Sequence, residues 1–178
     1  DGYSFVVDDA NGCNPVTVSQ NAVLCDCTTS VGDMDDVEQD ACGETACITG
    51  IYDASGEALD GDDIVQFILH TGSGVTIVNE IARNSIPEFC FDDVTMNYGT
   101  TYYISAVVGN DDGTGSVALG DSCTQVAAGT PIIFNEKPIA SVDTPASLTC
   151  ANPQVALTGS ASLPGATFEW SASNGGVI

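Results

Sequence analysis

Short runs of β-branched and aromatic residues recur along the whole chain, and almost nothing repeats at the period of a helix. The runs predict strands over residues 3–7, 16–19, 46–52, 64–70, 75–82, 89–94, 101–108, 124–134 and 154–158. Between them lie turn-forming stretches of Gly, Asp, Asn, Ser and Pro, such as DASGEALDGDD and NDDGTG. Many short strands without intervening helices predict an all-β chain of antiparallel sandwiches.

The predicted strands fall into three groups along the chain. Residues 1–24 hold two strands and a turn, too little to fold alone, and we interpret them as the C-terminal strands of a preceding immunoglobulin-like repeat. Residues 25–136 hold enough strands for one complete immunoglobulin-like or fibronectin-III-like sandwich. Residues 137–178 start again after NEKP and are expected to form the N-terminal part of a following repeat, with Trp170 covering its core. We therefore expect a segment of a tandem array of domains.

The run TTYYISAVVGN is the clearest predicted strand. Alternation places Tyr102, Ile104 and Ala106 on one face, and Tyr103, Ser105 and Val107 on the other. The pattern resembles strand F of fibronectin type III domains, in which a tyrosine hydroxyl bonds to a nearby backbone carbonyl. We interpret these tyrosines as architecture rather than as ligand contacts.

Charge restricts the partners of the chain. Twenty-five acidic side chains face only two basic ones, Arg83 and Lys137, and the formal net charge is −23. Nucleic acid and anionic membrane surfaces would repel such a chain, so neither is an expected partner. No apolar run is long enough to cross a membrane, so no membrane insertion is expected. Hydrophobic residues make up 43% of the chain, which indicates packed cores rather than an acidic disordered tail.

Cysteine content indicates the compartment. The chain has eight cysteines, which is many for its length. Zinc is the alternative to disulfides, but the sequence has a single histidine, His70, and no C-x-x-C pair. Disulfides are therefore favoured, and they imply an oxidising, extracellular or periplasmic compartment.

Three acidic clusters are the better candidates for binding. They lie in turn-rich stretches and consist of Asp33, Asp35 and Asp36; of Asp60, Asp62 and Asp63; and of Asp111 with Asp112. Calcium prefers oxygen ligands, and D-x-D spacing on a turn can aim two carboxylates at one ion. None of the clusters completes an EF-hand pattern. Calcium binding and the solvated turns of an acidic surface are both open interpretations.

The sequence does not favour an enzyme. A hydrolytic triad would need His70, which ends the apolar run IVQFILH, and no G-x-S-x-G elbow occurs. Any two aspartates could approach as a glycosidase pair, but repeats of this size rarely hold a deep cleft. An isopeptide bond from Lys137 is not expected either, because this lysine lies in the linker beside Pro138.

Several motifs resemble known repeat proteins. GYSFVVDDANGC is similar to the closing strands of repeats in giant secreted surface proteins of the Bacteroidetes, which are commonly exported by the type IX system. ASLTCANPQVALTGSAS, followed by FEWSASNGG, resembles the start of immunoglobulin-like or polycystic-kidney-disease-like repeats in the same proteins. The middle stretch, with CDCTTSVGDMDD and YGTTYYISAVVGNDDGTG, resembles a module found among these repeats in Saprospira-like bacteria. Together these resemblances cover nearly the whole chain.

The resemblance has implications for the cysteines. In such repeats an LTC cysteine accompanies a DANGC-like cysteine, so Cys13 and Cys150 would belong to different domains, each with its partner outside this segment or left free. Cys47 and Cys90 are then favoured as a pair, because both lie in apolar strands that could face each other across the sandwich. Two further links would join the remaining four cysteines in an undetermined order: Cys25, Cys27, Cys42 and Cys123.

The resemblance also implies a function. It implies a non-catalytic structural or adhesive segment of a large extracellular filament or adhesin, serving attachment, gliding or the capture of prey or cells. Its partners would be neighbouring domains of the same chain and further copies of itself. One alternative is a carbohydrate-binding module, with or without calcium, that contacts cell-surface glycans through loop aromatics such as Tyr52 and Tyr98. Another is a filament subunit that self-associates through open edge strands.

Overall fold

The computed structural model describes residues 2–8, 11, 14–21, 27–173 and 177–178. Over these residues the chain forms strands joined by turns, one short 3-10 helix at Ala54–Gly56 and no α-helix, so the predicted all-β class is confirmed. The strands are β1 (Gly2–Val7), β2 (Val16–Asn21), β3 (Asp33–Met34), β4 (Gln39–Cys42), β5 (Cys47–Thr49), β6 (Tyr52–Asp53), β7 (Asp63–His70), β8 (Ala82–Asn84), β9 (Glu88–Cys90), β10 (Thr101–Asn110), β11 (Gln125–Val126), β12 (Thr130–Asn135), β13 (Ala140–Val142) and β14 (Gly159–Ala161).

One six-stranded sheet, the main sheet, dominates the described residues. Its strand order is β4–β12–β10–β7–β8, and β11 also pairs with β10. The longest pairing joins β7 to β10, antiparallel from His70 opposite Tyr103 to Asp63 opposite Asn110. β12 runs antiparallel to β10 but parallel to β4. The remaining described strands form separate pairs, β1–β2, β3–β6, β5–β9 and β13–β14.

The larger core lies on one face of the main sheet. Alternation along β10 places its apolar side chains there as predicted, and Ile104, Ile132 and Phe134 are fully buried. Ile48 of the β5–β9 pair and Met34 of the β3–β6 pair pack against this face. Two layers of strands therefore enclose the core.

The opposite face of the main sheet carries a smaller core. Ile68 of β7 and Val107 of β10 pack with Val117, and with Ile77 and Val126 around them. Ile77 belongs to the loop between β7 and β8, and Val117 belongs to the loop between β10 and β11. Loops rather than a second sheet therefore cover this face. Both faces of β7 are thus packed, which explains its nearly continuous apolar sequence.

Two predicted strands are wrong. Residues 75–82 form a loop up to Ile81, because the amide of Thr71 donates to the carbonyl of Val78 at 2.9 Å and Asn79 has a left-handed φ of 49°. This conformation interrupts the extended run that the β-branched residues suggested. Residues 154–158 also form no strand, and pairing begins only at Gly159.

One disulfide is the pair that the sequence favoured. Cys47 of β5 and Cys90 of β9 are joined, but as direct partners within one antiparallel strand pair and not across the sandwich, so the expected geometry is wrong. A second disulfide joins Cys27 to Cys123, which are 96 residues apart in sequence. Cross-links of this kind indicate an oxidising environment. The described part of the chain contains no helix with the length and apolar character of a membrane span.

The expected third link is not found among the described residues. Cys42 carries a free, exposed thiol on β4, which is an edge strand of the main sheet. Cys25 lies outside the described residues. Cys150 is also free and exposed, whereas Cys13 lies outside the described residues.

The two outer strand pairs expose apolar side chains. In β1–β2, Phe5 is opposite Val18 and Val7 is opposite Val16, and all four side chains are exposed. Trp170 does not cover a core as expected: its side chain is 38% exposed and lies against Gly159 of β14. Strand pairing stays within the three predicted groups of the chain over the described residues, and the domain boundaries themselves stay predictions.

The tyrosine of β10 makes a different hydrogen bond from the predicted one. The Tyr102 hydroxyl accepts the backbone N–H of Asn97 at 2.7 Å, rather than bonding to a carbonyl. The side chain is 2% exposed, so this bond fixes the turn before β10 against the core.

Removing this hydroxyl should destabilise the domain. Tyr102→Phe leaves the Asn97 N–H without its acceptor, and we expect the free energy of unfolding to fall by about 1 kcal/mol in urea denaturation. Tyr103→Phe is the matched control, because the neighbouring ring is only half-buried and its hydroxyl has no described hydrogen bond. Equal losses in both variants would contradict the role assigned to Tyr102.

Candidate functional site

Two of the three acidic clusters meet at one end of the main sheet. The Asp111 amide donates to the carbonyl of Asp62 at 2.9 Å, just beyond the point where Asp63 and Asn110 face each other. The turn before β7 and the turn after β10 are therefore neighbours. The cluster around Asp33 lies instead on the β3–β6 pair.

Most carboxylates at this end bind the amides of their own turns. Asp111 Oδ1 accepts the N–H groups of Gly113 and Gly115, at 2.8 and 2.9 Å. Asp112 Oδ1 accepts the hydroxyl and amide of Thr114, and these bonds lower the pKa of Asp112. Contact with the Asp62 carboxyl has the opposite effect and raises the pKa of Asp60.

Asp63 makes the long-range side-chain contact that the structure describes for the second cluster. Its Oδ2 accepts the hydroxyl of Thr29 at 2.8 Å and the amide of Asp60 at 2.9 Å. The bond to Thr29 ties the segment after Cys27 to the start of β7. The other oxygen, Oδ1, is buried and has no hydrogen-bond partner among the described residues, and the same holds for Oδ1 of Asn110.

The structure does not collect the predicted aspartates into a metal centre. Within the described ranges, no three or more His, Cys, Asp or Glu side chains come together in a way that could hold a metal ion. The turn bonds account for the carboxylates of Asp111 and Asp112 without a cation. Calcium binding therefore stays a prediction of the sequence.

A histidine and a serine form a buried polar pair on the face of the main sheet that carries the smaller core. His70 Nε2 lies 2.9 Å from Ser105 Oγ, and both side chains are 0% exposed. Gly129 makes the packing here tight, since a Cβ at this position would lie 2.6 Å from Ser105 Oγ. The distance matches that of a hydrolytic pair, but the serine oxygen has no path to a substrate in this structure.

Burial disfavours the charged form of His70. It lowers the pKa of His70, because the ring is desolvated, while the charge of Glu80 opposes this shift. The second ring nitrogen, Nδ1, is buried and has no hydrogen-bond partner among the described residues. A proton on Nδ1 would therefore lack an acceptor among the described residues.

Tyr52 makes several contacts within the fold. Its ring packs edge-on against Phe67, with centroids 5.3 Å apart, and its hydroxyl donates to Glu57 at 2.5 Å and accepts the amide of Gly32. Burial and the bond to Glu57 raise the pKa of Tyr52 to about 12. The side chain is thus part of the fold.

Tyr98 lies in a more open setting. Its ring stacks on Phe91, with centroids 4.0 Å apart and an interplanar angle of 12°. It lines a groove of about 580 Å³ together with Glu44, Glu136 and Lys137. The structure thus leaves Tyr98, and not Tyr52, as a loop aromatic beside an open surface.

Two of these arrangements are invisible in the sequence. Ser105 and His70 meet only because of the β7–β10 register, and Phe91 and Tyr98 meet only because the intervening turn folds back. The alternating pattern did place Ser105 on the correct face, but nothing local identifies the residue opposite it.

Comparison with protein-family models, with curated proteins and with solved structures returned no match for this chain.

Loss of the Asp63 carboxylate should loosen the start of the domain. Asp63→Ala removes the acceptor of Thr29 and Asp60, and we expect a loss of about 1–3 kcal/mol of unfolding free energy because the acceptor is charged and partly buried. Asp36→Ala makes the same chemical change at an exposed position without a described side-chain bond. Chemical denaturation of both variants checks this, and an equal effect would argue against the Thr29–Asp63 tie.

Acid should weaken the fold through His70. The folded pKa lies below the unfolded value, so the unfolded chain takes up the proton first. The contribution of His70 to stability is complete above pH about 6.5 and is lost as pH falls below this value. His70→Gln cannot titrate, so its unfolding free energy should fall less between pH 7 and pH 5 than that of the parent. An unchanged slope would show that other groups carry the pH dependence, since His70 is the single histidine of the sequence.

Proposed function

We propose that this chain is a non-catalytic, structural and adhesive segment of a large extracellular filament or adhesin. In this proposal residues 25–136 form an immunoglobulin-like or fibronectin-III-like sandwich that carries tension between neighbouring domains. The observation that carries the proposal is the Cys27–Cys123 disulfide, which bridges 96 residues between the beginning and the last strands of the domain.

The disulfide changes where tension runs. A force between the two ends of the chain reaches Cys27, crosses the sulfur bridge to Cys123 and leaves through β12. The residues between the two cysteines lie on a side branch of this path and bear no tension. β4, β7, β8 and β10 of the main sheet lie on this side branch and are shielded from extension while the bridge is intact, whereas β11 and β12 follow Cys123 and bear the tension.

The strand pairing supports the same role. β4 and β12 run parallel, with Ile132 to Asn135 beside Gln39 to Cys42. Without the bridge, tension would enter through β4 and leave through β12, and it would pull these two strands lengthwise past each other. The hydrogen bonds between them would then be loaded together rather than one after another. The β4–β12 hydrogen bonds would thus resist extension of the domain if the Cys27–Cys123 disulfide were reduced.

The outer strand pairs support an array of domains. An isolated two-stranded sheet is marginally stable in water. β1–β2 exposes Phe5, Val7, Val16 and Val18, which share one face of the pair. Such a face needs further protein to cover it, as neighbouring domains in an array would provide. The cell surface is the location that this role requires.

Single-molecule stretching of the whole chain tests the load path. With both disulfides intact, the loop from Cys27 to Cys123 should add no length at any force below bond rupture. In Cys27→Ser it should add about 180 Å, because the 43-residue loop of Cys47–Cys90 stays closed. In the fully reduced parent it should add about 330 Å.

Cys150→Ser is the control, because it removes a thiol that forms no described disulfide. Its oxidised trace should match that of the parent. An oxidised parent that lengthens as much as the reduced one would rule out the shielded load path.

A further inference from the structure

The groove beside Tyr98 adjoins the load path, because Glu136 and Lys137 of its lining belong to the segment that follows β12. It has a volume of about 580 Å³ and runs between the β4–β5 turn at Glu44 and the linker that follows β12 at Glu136 and Lys137. A neighbouring groove of about 480 Å³ shares Glu44 with it and is lined by Phe91 and Asp93 among others. The two grooves adjoin at Glu44 and Thr45, and the stacked rings of Phe91 and Tyr98 line one each; together we call them the Tyr98 groove.

The ring of Tyr98 is held rigidly. Phe91 stacks on one side of it, with ring centroids 4.0 Å apart. Phe91 is itself 8% exposed, and the centroid of its ring lies 5.7 Å from that of Phe134 in the larger core. The stacking restrains the Tyr98 ring, which lines the groove, so a ligand that binds it costs less side-chain freedom. Fixed aromatic faces of this kind are efficient binding surfaces.

Carboxylates surround this ring. Burial raises the pKa of the Tyr98 phenol, and the negative charges of Glu44, Glu136 and Asp93 raise it further. Lys137 is the one basic side chain that lines the groove, and no described carboxylate lies within ion-pair distance of it. The groove therefore combines an aromatic face with an excess of negative charge.

We propose that the Tyr98 groove docks a lysine or arginine side chain of a separate, basic protein. A cation over an aromatic face is attracted by the ring, and flanking carboxylates add to this attraction. The acidic surface as a whole, with a net charge of −23, would also speed the approach of a basic partner. The proposal goes beyond the load-bearing role, which does not require a ligand.

A second copy of this chain does not fit as the occupant. Its two basic residues are Arg83 and Lys137. Arg83 already binds Glu80 at 2.9 Å and the carbonyl of Val117 at 3.0 Å, and Lys137 lines the groove itself. Two copies would also repel each other through their net charge. The cation must therefore come from another protein.

Peptide binding to the whole oxidised chain tests the proposal. The probe is a capped heptapeptide of alternating glycine and lysine, and its counterpart carries acetyl-lysine at the same positions. The lysine peptide should bind at low salt and the acetylated one should not. Tyr98→Leu should weaken binding about fivefold or more at constant net charge, whereas Tyr98→Phe should bind like the parent.

Charge variants separate the groove from the general acidity. Glu44→Gln and Glu136→Gln should each weaken binding, whereas Asp36→Asn removes one charge from an exposed position outside the groove and should change it little. A thermal melt of each variant checks that the fold is retained. If Tyr98→Leu unfolds, peptide binding by Glu44→Gln and Glu136→Gln tests the proposal in its place.

Three results would overturn the proposal. One is an absence of binding to the lysine peptide. Another is equal binding by the parent, Tyr98→Leu and Glu44→Gln, which would indicate bulk electrostatic attraction only. The third is binding to a glucosamine oligomer but not to the peptide, which would assign the groove to an amino sugar. None of these results bears on the contour lengths expected from the disulfides.

Discussion

The shortage of cations is the constraint on which the rest of this structure depends. Twenty-five carboxylates share two basic side chains, so most of them cannot be neutralised by ion pairs. Aspartates instead accept the backbone N–H two residues further along, as Asp35, Asp53, Asp60, Asp92, Asp111, Asp112 and Asp121 do. Such bonds satisfy the carboxylate and close a turn at the same time. The same aspartates therefore account for much of the acidity of the chain and for many of its tight turns.

Of the two basic side chains, Arg83 is the one that the fold uses fully. Arg83 on β8 binds Glu80 through two nitrogens and also contacts Gln66 and the carbonyl of Val117. Gln66 in turn accepts the amide of Val117 at 2.8 Å. This network fixes the loop that covers the smaller core, on the face of the main sheet that has no second layer. The two disulfides provide covalent ties elsewhere in the domain.

Local patterns were enough to predict some of this structure. Alternation predicted the two faces of β10, and the apolar runs around Cys47 and Cys90 identified strands that do pair. Non-local features could not be read in the same way. The loop at residues 71–81 reads as a strand because it is rich in β-branched residues, but Ile77 packs on the smaller core while Val75 and Val78 are exposed and Asn79 turns the backbone. The His70–Ser105 pair depends on a strand register, which a single sequence does not encode visibly.

The same shortage of cations links the fold to its surroundings. A carboxylate that caps a turn has its charge partly satisfied by amides, but those of Glu44 and Glu136 beside Tyr98 have no described amide to accept. These two carboxylates can therefore interact with solvent or with a basic partner. Screening limits their reach to about 8–10 Å in saline media, so attraction acts only once a basic group is close. Recognition at this groove would therefore depend on the fixed ring as much as on charge, whereas cohesion of the domain rests on its core, its turns and its disulfides.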